Sequence, residues 1–271
     1  MSLLQPRKTV GLALGSGGVR GLAHVGVIKT LLKHHIPIDF IAGSSIGAWV
    51  GAHYALFQDI ERLEEFTVNK KEEKFRMLLE PSLSGGFIGG ERTRKLLTEW
   101  LEDASFEETK IPLAVVATDL LKREPFVYTS AALAPAVQAS MAIPGMFKPV
   151  TYHGRMLVDG GITNPVPSDV VKKMGADIVI AVNLYRIPED AKEVEDSKLT
   201  LGLMAVANRS IEIMRYYLAK GSLQSADVII EPLVEEYAAW SQYFRKDVGN
   251  EIVAIGEAEA EKLIPHIKSL L

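Results

Sequence analysis

A chain of 271 residues that is 48% hydrophobic and 24% charged has the balance of a soluble globular protein with a sizeable core. The formal net charge of −4 gives no reason to expect a nucleic-acid partner. The sequence has no cysteine, which excludes disulfides, thiolate metal sites and a cysteine nucleophile, and fits a reducing, cytoplasmic location. No apolar run reaches the roughly eighteen residues of a membrane span, so any membrane contact is expected to be peripheral.

The first part of the chain alternates short apolar segments with helical patterns. Val10–Leu14 predicts a buried strand, and apolar residues then recur at helical spacing as far as about Lys33. Residues 38–42 predict a second strand, and Ile46–Phe57 is apolar and long enough for a buried helix. This order predicts two parallel strands joined by a right-handed crossover. The loops that follow the two strands then lie together at the carboxyl edge of the sheet, where open α/β sheets place their sites.

The rest of the chain continues the alternation after a charged, helical excursion at residues 58–110, which is broken at residues 81–90. The whole pattern predicts an α/β protein with three layers, α/β/α, and a mainly parallel central sheet. We expect a single domain over residues 1–271, with the motifs in a core of about 9–185 and a C-terminal extension at 186–271. The further predicted strands are 113–118, 125–128, 156–158, 178–184 and 228–230. The further predicted helices are 131–141, 168–174, 201–220 and 250–269. Residues 188–197 are predicted to form an acidic solvated loop.

A Gly-x-Ser-x-Gly pattern, centred on Ser45, joins the second predicted strand to the buried helix. A strand, a tight turn and a helix are the context that a nucleophile elbow needs. Gly43 and Gly47 keep such a turn sharp and let the helix pack on the strand. Ser45 is then held at the carboxyl edge of the sheet, at the start of a helix whose dipole favours developing negative charge. The same pattern is also compatible with a turn that only packs a helix onto a sheet.

The loop after the first strand is rich in glycine. Successive glycines at a helix start leave backbone N–H groups free to face an anion, which suits a dinucleotide phosphate loop, an oxyanion hole or a plain turn. The dinucleotide pattern fails because Arg20 stands at its last glycine and Asp39 lies inside the second strand rather than at the ribose position. An oxyanion hole accounts for the position of the loop beside a serine elbow. The loop comprises Gly15, Ser16, Gly17, Gly18, Val19, Arg20 and Gly21.

A serine nucleophile needs a base. An α/β-hydrolase would order its residues Ser, acid, His, with the elbow after several strands rather than two. A desolvated carboxylate can replace histidine because burial raises its pKa. Asp159 is the candidate, since it ends a predicted strand before two glycines, although an ordinary Asp-Gly turn has the same pattern. The histidines are expected at helix ends, on packed helix faces or in a turn: His24, His34, His35, His53, His153 and His266.

Three of these segments resemble, in order and spacing, the signature blocks of patatin-like phospholipases. They are residues 15–21, residues 43–47 and the Asp-Gly-Gly sequence at 159–161. A fourth segment, residues 139–144, resembles the Ser-to-Pro stretch of that family. The resemblance covers about residues 9–185, and the blocks are specific in combination.

The resemblance implies a serine esterase or lipid acyl hydrolase of the phospholipase or lysophospholipase type. It implies a Ser–Asp dyad without histidine, in which Ser45 is the nucleophile and Asp159 the base. Gly17 and Gly18, with their neighbours, would supply the oxyanion hole. Arg20 matches the basic position of the family, where it would orient the loop or meet substrate charge.

One departure from the family pattern is visible, because Ser16 stands where the family often has glycine. The implied substrate is an acyl ester or a phospholipid, and no metal or cofactor is expected, since the sequence has neither a D-x-D-x-D-G loop nor an H-E-x-x-H motif. Two other classes remain open: a nucleotide-binding oxidoreductase that uses the glycine loop, and a non-catalytic scaffold that binds lipid or a partner. The other motif positions are Gly15, Gly21, Gly43, Gly47, Gly160 and Gly161.

Overall fold

A computed structural model describes residues 7–70, 80, 86–187, 203–237, 242 and 245–271. The strands are β1 Val10–Leu14, β2 Phe40–Ser44, β3 Gly86–Ile88, β4 Leu113–Asp119, β5 Glu124–Tyr128, β6 Gly145–Phe147, β7 Val150–Tyr152, β8 Arg155–Asp159, β9 Ile178–Val182 and β10 Val228–Ile230. The α-helices are α1 Ala23–Lys33, α2 Ile46–Phe57, α3 Ile60–Glu64, α4 Glu91–Trp100, α5 Leu133–Ser140, α6 Ser168–Lys173, α7 Leu203–Ser222 and α8 Lys246–Leu270.

The central sheet has the strand order β10-β9-β1-β2-β4-β8-β7, and β5 pairs with β4. The pairs from β10 to β4 are parallel, whereas β8, β7 and β5 pair antiparallel. A separate pair joins β3 to β6. Helices cover both faces of the central sheet, so the predicted α/β class with a mainly parallel sheet is confirmed.

The register of β1 and β2 places the two predicted loops side by side. Leu14 at the end of β1 is opposite Gly43 in β2, and the strands run parallel, as the sequence predicts. Further along β4, Ala117 is opposite Asp159 at the end of β8. The ends of β1, β2 and β8 therefore meet at one edge of the sheet.

The two sides of the sheet differ in the size of their core side chains. Alternate residues of β1 and β9 point to opposite faces, because the side chains of a strand alternate. Leu12 and Ile180 join the large core that includes α1, α2 and α8. Ala13 and Ala181 join the smaller core that includes α6 and α7. Small residues on this second side let α6 approach closely, and a Cβ on Gly11 would lie only 2.0 Å from the side chain of Val171.

Several predicted boundaries are wrong by a few residues. The second strand was expected at 38–42 but is Phe40–Ser44, so it begins after Asp39, whose carboxylate accepts the backbone N–H of Val10 and pairs with Arg7. The excursion at 58–110 is helical at α3 and α4 but also contains β3, which the sequence did not indicate. The predicted loop at 188–197 lies outside the described residues. Within the described ranges, no helix is long and apolar enough to cross a membrane.

Candidate active site

The turn between β2 and α2 holds Ser45 in an unusual backbone conformation. Its φ is 55° and its ψ is −122°, a left-handed value that costs a side-chain-bearing residue about 1–3 kcal/mol. The turn is fixed by close backbone packing, since a Cβ on Gly43 would lie 2.3 Å from the carbonyl oxygen of Gly47. A Cβ on Gly47 would lie 2.1 Å from the carbonyl oxygen of Leu14. The two predicted elbow glycines are therefore required by the backbone contacts around the serine.

The hydroxyl of Ser45 donates a hydrogen bond to the carboxylate of Asp159. The distance from Ser45 Oγ to Asp159 Oδ2 is 2.6 Å, and both residues are buried. The other carboxylate oxygen, Oδ1, accepts the backbone N–H of Gly161 at 2.8 Å. A Cβ on Gly160 would lie 2.1 Å from the carbonyl oxygen of Val116, so glycine is needed there for the close approach that the sequence indicated. The structure thus brings together the serine and the carboxylate that the sequence selected 114 positions apart.

Burial raises the pKa of the Asp159 carboxyl above its ordinary value. The positive charge of Arg215, the Ser45 hydroxyl and the Gly161 N–H act in the opposite direction because each favours the charged form. The effect of burial is larger, so the carboxylate is a stronger proton acceptor than an exposed aspartate. A raised pKa together with a hydrogen-bonded hydroxyl is the arrangement of a general base and its nucleophile.

A hydrogen-bond chain supports the elbow from behind. Ser140, at the end of α5, accepts the backbone N–H of Ser45 at 2.8 Å and donates to the carbonyl of Val116 at 2.6 Å. Thr118 donates to the carbonyl of Asp159 at 2.9 Å, which fixes the backbone of the carboxylate. Ser140 lies in the Ser-to-Pro segment that the sequence singled out, and the structure shows what that serine contacts.

The glycine loop lies beside the elbow and begins a short 3₁₀ helix, Gly18–Leu22. The first N–H groups of a helix have no partner inside it, so Gly17 and Gly18 can offer donors. Gly18 has a φ of 59°, which glycine adopts without strain. A Cβ on Gly21 would lie 2.3 Å from the side chain of Ile46, which shows how closely the loop packs on the elbow.

The backbone groups at the start of the loop already have hydrogen-bond partners within the protein. The N–H of Gly15 donates to the carbonyl of Val182, and the N–H of Ser16 donates to that of Pro165. The carbonyl of Gly15 accepts a hydrogen bond from His24 Nε2 at 2.7 Å. Burial lowers the pKa of His24 to about 4, so the ring is neutral at pH 7. These contacts leave the later glycines as the part of the loop open to an anion.

Side chains from distant parts of the chain hold the loop in place. Ser16 Oγ lies 2.8 Å from the hydroxyl of Tyr185, just beyond β9. The buried Arg20 donates from Nε to the carbonyl of Gly17 at 3.2 Å and lies over the Tyr185 ring at 5.1 Å. Glu212 of α7 approaches Arg20 at 3.9 Å. Arg20 therefore contacts the loop itself, which is the geometry that the predicted orienting role requires.

The histidines occupy structural or surface positions. His53 is buried against Trp49 and Phe57, and burial lowers its pKa to about 3. His34 pairs with Glu261 at 2.8 Å, and His266 is exposed. The strongest histidine rival, His153, is exposed in the turn between β7 and β8, with its ring against Tyr152, so the length of β8 separates it from Asp159.

Two further residues near the site were missed by the sequence reasoning. Tyr185 follows the carboxyl end of β9, the neighbour of β1, so the sheet order would have placed it near the glycine loop. Arg215 lies on α7, and its charge acts on both Asp159 and Tyr185. Nothing in the sequence pattern connects α7 to the site, because that contact depends on how the second half of the chain returns to the sheet.

A buried Ser–Asp pair on a mainly parallel α/β sheet, beside a glycine loop, is an arrangement that suits a serine hydrolase. The family model described as patatin-like phospholipase matches residues 12–172. The chain belongs to the patatin-like phospholipase family.

Two relatives illustrate the relationship. An uncharacterized NTE family protein of Mycobacterium tuberculosis is 40% identical over 179 residues, which is 65% of this chain and 49% of the relative. A lysophospholipase nte1 of Aspergillus fumigatus is 33% identical over 209 residues, which is 74% of this chain and 14% of the relative. The chain thus spans about half or less of the length of these curated relatives.

The fold is also similar to that of a solved structure. The crystal structure of VipD from Legionella pneumophila superposes with a TM-score of 0.61, over 96% of this chain and 67% of that one, at 14% identity. At such low identity the similarity concerns the fold alone.

Proposed function

We propose that this protein is a serine acyl hydrolase that cleaves lipid esters, of the phospholipase or lysophospholipase type, with Ser45 as nucleophile and Asp159 as base. The observation that carries the proposal is the 2.6 Å hydrogen bond from Ser45 Oγ to a buried carboxylate, at a strained elbow inside the region that matches the family. The lysophospholipase name of the fungal relatives supports the choice of a lipid ester as substrate.

The reaction begins when Ser45 Oγ attacks the ester carbonyl and its proton passes to Asp159 Oδ2. The tetrahedral oxyanion is stabilised by backbone N–H groups of Gly17 and Gly18, which point at charge that develops only in the transition state. The bond from the carbonyl carbon to the leaving oxygen then breaks, and Asp159 returns the proton to that oxygen. An acyl-enzyme and a free alcohol, here the lysolipid or glycerophosphoryl part of the substrate, result.

The second half of the reaction repeats these steps with water. Asp159 takes a proton from water while the water oxygen attacks the acyl carbonyl, and the same backbone donors stabilise the second oxyanion. The bond to Ser45 Oγ breaks, the serine recovers its proton and the fatty acid leaves. The raised pKa of Asp159 suits both roles, since the residue must accept and then return a proton in each half-reaction.

Hydrogen bonds that the start of the glycine loop makes within the protein favour acyl transfer over nucleotide binding. A dinucleotide phosphate needs several free N–H groups at the start of the loop. The N–H groups of Gly15 and Ser16 instead donate to backbone carbonyls, and Ser16 Oγ contacts Tyr185.

Fluorophosphonate labelling tests the proposal. Wild-type protein should be labelled at Ser45 and should hydrolyse p-nitrophenyl esters and lysophospholipids, and Ser45→Ala should lose both activities. The matched control is Ser44→Ala, because Ser44 is the buried neighbour in the same turn. A second control, His153→Gln, should keep kcat within about tenfold, since no base is lost.

Three results would contradict the proposal. Labelling of Ser45→Ala at the wild-type rate would exclude Ser45 as the nucleophile. A folded wild-type protein that neither reacts with the probe nor hydrolyses any ester of the panel would indicate a non-catalytic scaffold. A thousandfold loss in a folded His153→Gln would make histidine the base and Asp159 its orienting acid.

A further inference from the structure

The hairpin between β4 and β5 carries an apolar tip at the catalytic edge of the sheet. The tip residues Leu120 and Leu121 are 47% and 65% exposed. Lys122 and Arg123 follow them and are exposed as well. Neither cation forms an ion pair within the part of the chain that the structure describes. Two adjacent leucines beside two free cations form a surface with no counterpart elsewhere in the hairpin.

Hydrogen bonds to Asp119 fix the backbone of the tip. The carboxylate of Asp119, which is fully buried, accepts the backbone N–H groups of Leu121 at 3.1 Å and Lys122 at 3.0 Å. It also pairs with Arg155 of β8 at 2.7 Å. The N–H of Arg123 donates to the carbonyl of Asp119 at 2.8 Å, which closes the turn. The exposed leucines are therefore presented in a fixed direction.

The apolar surface continues from the tip along one face of the sheet. Val116 and Thr118 of β4 lie on the same face, because the side chains of a strand alternate. Val127 is opposite Val116, and Val158 is opposite Thr118, so both lie on that face. Met156, two residues before Val158, lies there as well. The side chains of Val127 and Met156 are both 38% exposed. The other face of the hairpin is packed, because Phe126 and Tyr128 stack with Tyr152. One side thus anchors the hairpin in the core, and the other side exposes Val127 and Met156.

This surface is directly coupled to the proposed catalytic pair. Thr118, the residue before Asp119, donates to the carbonyl of Asp159, and β8 carries both Met156 and Asp159. Ile162, three residues after the carboxylate, is 37% exposed. A surface that contacts the hairpin would therefore lie next to the mouth of the site.

We propose that the surface formed by Leu120, Leu121, Lys122 and Arg123, here called the hairpin tip, docks the protein on an anionic lipid bilayer. The leucines enter the apolar boundary while the cations meet lipid phosphates, the combination by which peripheral proteins bind membranes. The inference rests on the proposed lipid substrate, because docking there would bring substrate to Ser45 and Asp159.

The composition of the tip favours a lipid surface over a protein partner. A stable protein interface buries about 800 Å² on each side, which a four-residue tip cannot supply, whereas insertion into a bilayer needs no complementary partner surface. The helix α7 also exposes apolar residues, with Ile213 at 47% and Met214 at 62%. Its cations, however, are engaged within the protein: Arg209 pairs with Glu212 and Glu235, and Lys220 Nζ lies over the ring of Tyr216. The charge of Arg215 acts on Asp159 and Tyr185. Charge complementarity to an anionic surface therefore favours the hairpin tip.

Vesicle sedimentation tests the docking without any need for catalysis. The 271-residue chain with Ser45→Ala is mixed with vesicles of phosphatidylcholine alone or of phosphatidylcholine and phosphatidylglycerol in equal parts. We expect binding to the anionic vesicles and a loss of at least about tenfold on Leu120→Ser with Leu121→Ser. Lys122→Gln with Arg123→Gln should weaken binding by roughly fivefold for each charge and reduce its salt dependence.

The matched control is Ile213→Ser with Met214→Ser, which removes side chains of nearly equal exposure from α7. It should bind as the parent does, and thermal unfolding should show that all variants are folded. Because the chain has no cysteine, Leu121→Cys also gives a unique site for an environment-sensitive fluorophore. Its emission should shift to the blue with anionic vesicles, while the same label at Met214→Cys should not respond.

The proposal is overturned if the leucine variant sediments like its parent, if the parent does not bind anionic vesicles, or if only the α7 variant loses binding. A change of oligomeric state in the leucine variant would show instead that the tip contacts a second copy. Failure of the proposed catalysis is recognised separately, because it would abolish hydrolysis of a soluble p-nitrophenyl ester without affecting vesicle binding. If both proposals hold, the leucine variant retains soluble-ester turnover and loses at least about tenfold on vesicles.

Discussion

The serine elbow and the glycine loop lie side by side but are held in different ways. In the elbow, the glycines face backbone atoms: a Cβ on Gly47 would meet the carbonyl of Leu14 at 2.1 Å. In the later part of the loop, the nearest atoms to a Cβ on Gly17 would belong to the side chain of Leu184, the first at 2.7 Å, and a Cβ on Gly18 would meet nothing within 4 Å. Backbone atoms cannot move without moving strands, whereas the end of a leucine side chain can change rotamer.

The positions of the elbow and of the glycine loop therefore depend on different contacts. The elbow is fixed by two strands and a helix, so the position of Ser45 is a property of the sheet. The start of the loop is bound to the sheet through the Gly15 N–H, but its later part is held mainly by side chains, with Arg20 donating to the Gly17 carbonyl and lying over the ring of the distant Tyr185. Asp159 lies between the two, since it contacts Ser45 and its neighbour Gly161 packs against Ser16.

The largest loss is expected from Asp159→Asn, which replaces the carboxylate that accepts the Ser45 hydroxyl. Turnover should fall by roughly 10²–10⁴-fold, as for a lost general base, while circular dichroism shows the fold unchanged. Retention of most of the activity would mean that another base acts.

The same variant should be more stable than wild type at neutral pH. Because burial raises the pKa of Asp159, the ionised carboxylate disfavours the folded state once the pH exceeds that raised value. The wild type should therefore lose stability relative to Asp159→Asn as the pH rises through the raised pKa, and the difference should vanish below the unfolded value of about 3.8. Chemical denaturation at a series of pH values measures this difference in the free energy of unfolding.

The elbow is tested by Gly47→Ala, whose Cβ would collide with the carbonyl of Leu14. We expect about 1–3 kcal/mol of lost stability and a fall in kcat of about a hundredfold, because the backbone shift displaces Ser45. Gly51→Ala, one turn later in α2, is the matched control, since its Cβ would approach side chains, with Ile41 Cγ2 at 2.9 Å, rather than backbone. Equal losses in both variants would refute the special role of backbone contact in the elbow.

In the glycine loop, Gly17→Ala should lower kcat more than it raises KM. The displaced donor acts mainly on the developing oxyanion, so the cost should lie below the roughly 2.7–4 kcal/mol of a fully lost donor. Stability should change less than in Gly47→Ala, because Leu184 can move. The effect of Gly18→Ala should be smaller than that of Gly17→Ala, because the new Cβ would enter free space. What remains is the strain of alanine at a φ of 59°. A change confined to KM in both variants would show that the loop only binds ground-state substrate.

The smallest effect is expected from Arg215→Gln on α7, which shifts a pH profile rather than removing a catalytic group. The charge of Arg215 lowers the pKa of Asp159, so its removal raises that pKa further. The acid limb of kcat/KM should move to higher pH, with the plateau rate retained. Arg209→Gln, whose charge is paired with Glu212 and Glu235, is the control and should leave the limb in place. A shift of equal size in both variants would refute a specific effect of Arg215.

The sequence by itself determined the local structure of the elbow and the candidate base. Gly43, Ser45 and Gly47 stand between an apolar strand and an apolar helix, and this local order suffices to predict a sharp strand-to-helix turn. The boundaries of α2 are as predicted, while both ends of β2 lie two residues later than predicted, because the strand continues into the elbow as far as Ser44. Local pattern is informative wherever neighbouring residues decide the conformation.

Only the tertiary structure decided what surrounds that turn. Ser140, Tyr185 and Arg215 reach the site from α5, from beyond β9 and from α7, over sequence separations that no periodic pattern encodes. The same holds for the pKa of Asp159, since its direction depends on how completely the assembled sheet and helices exclude water from the carboxylate. Residue types can be read in order along the chain, but burial and charge at a point in space arise from elements that meet only after folding.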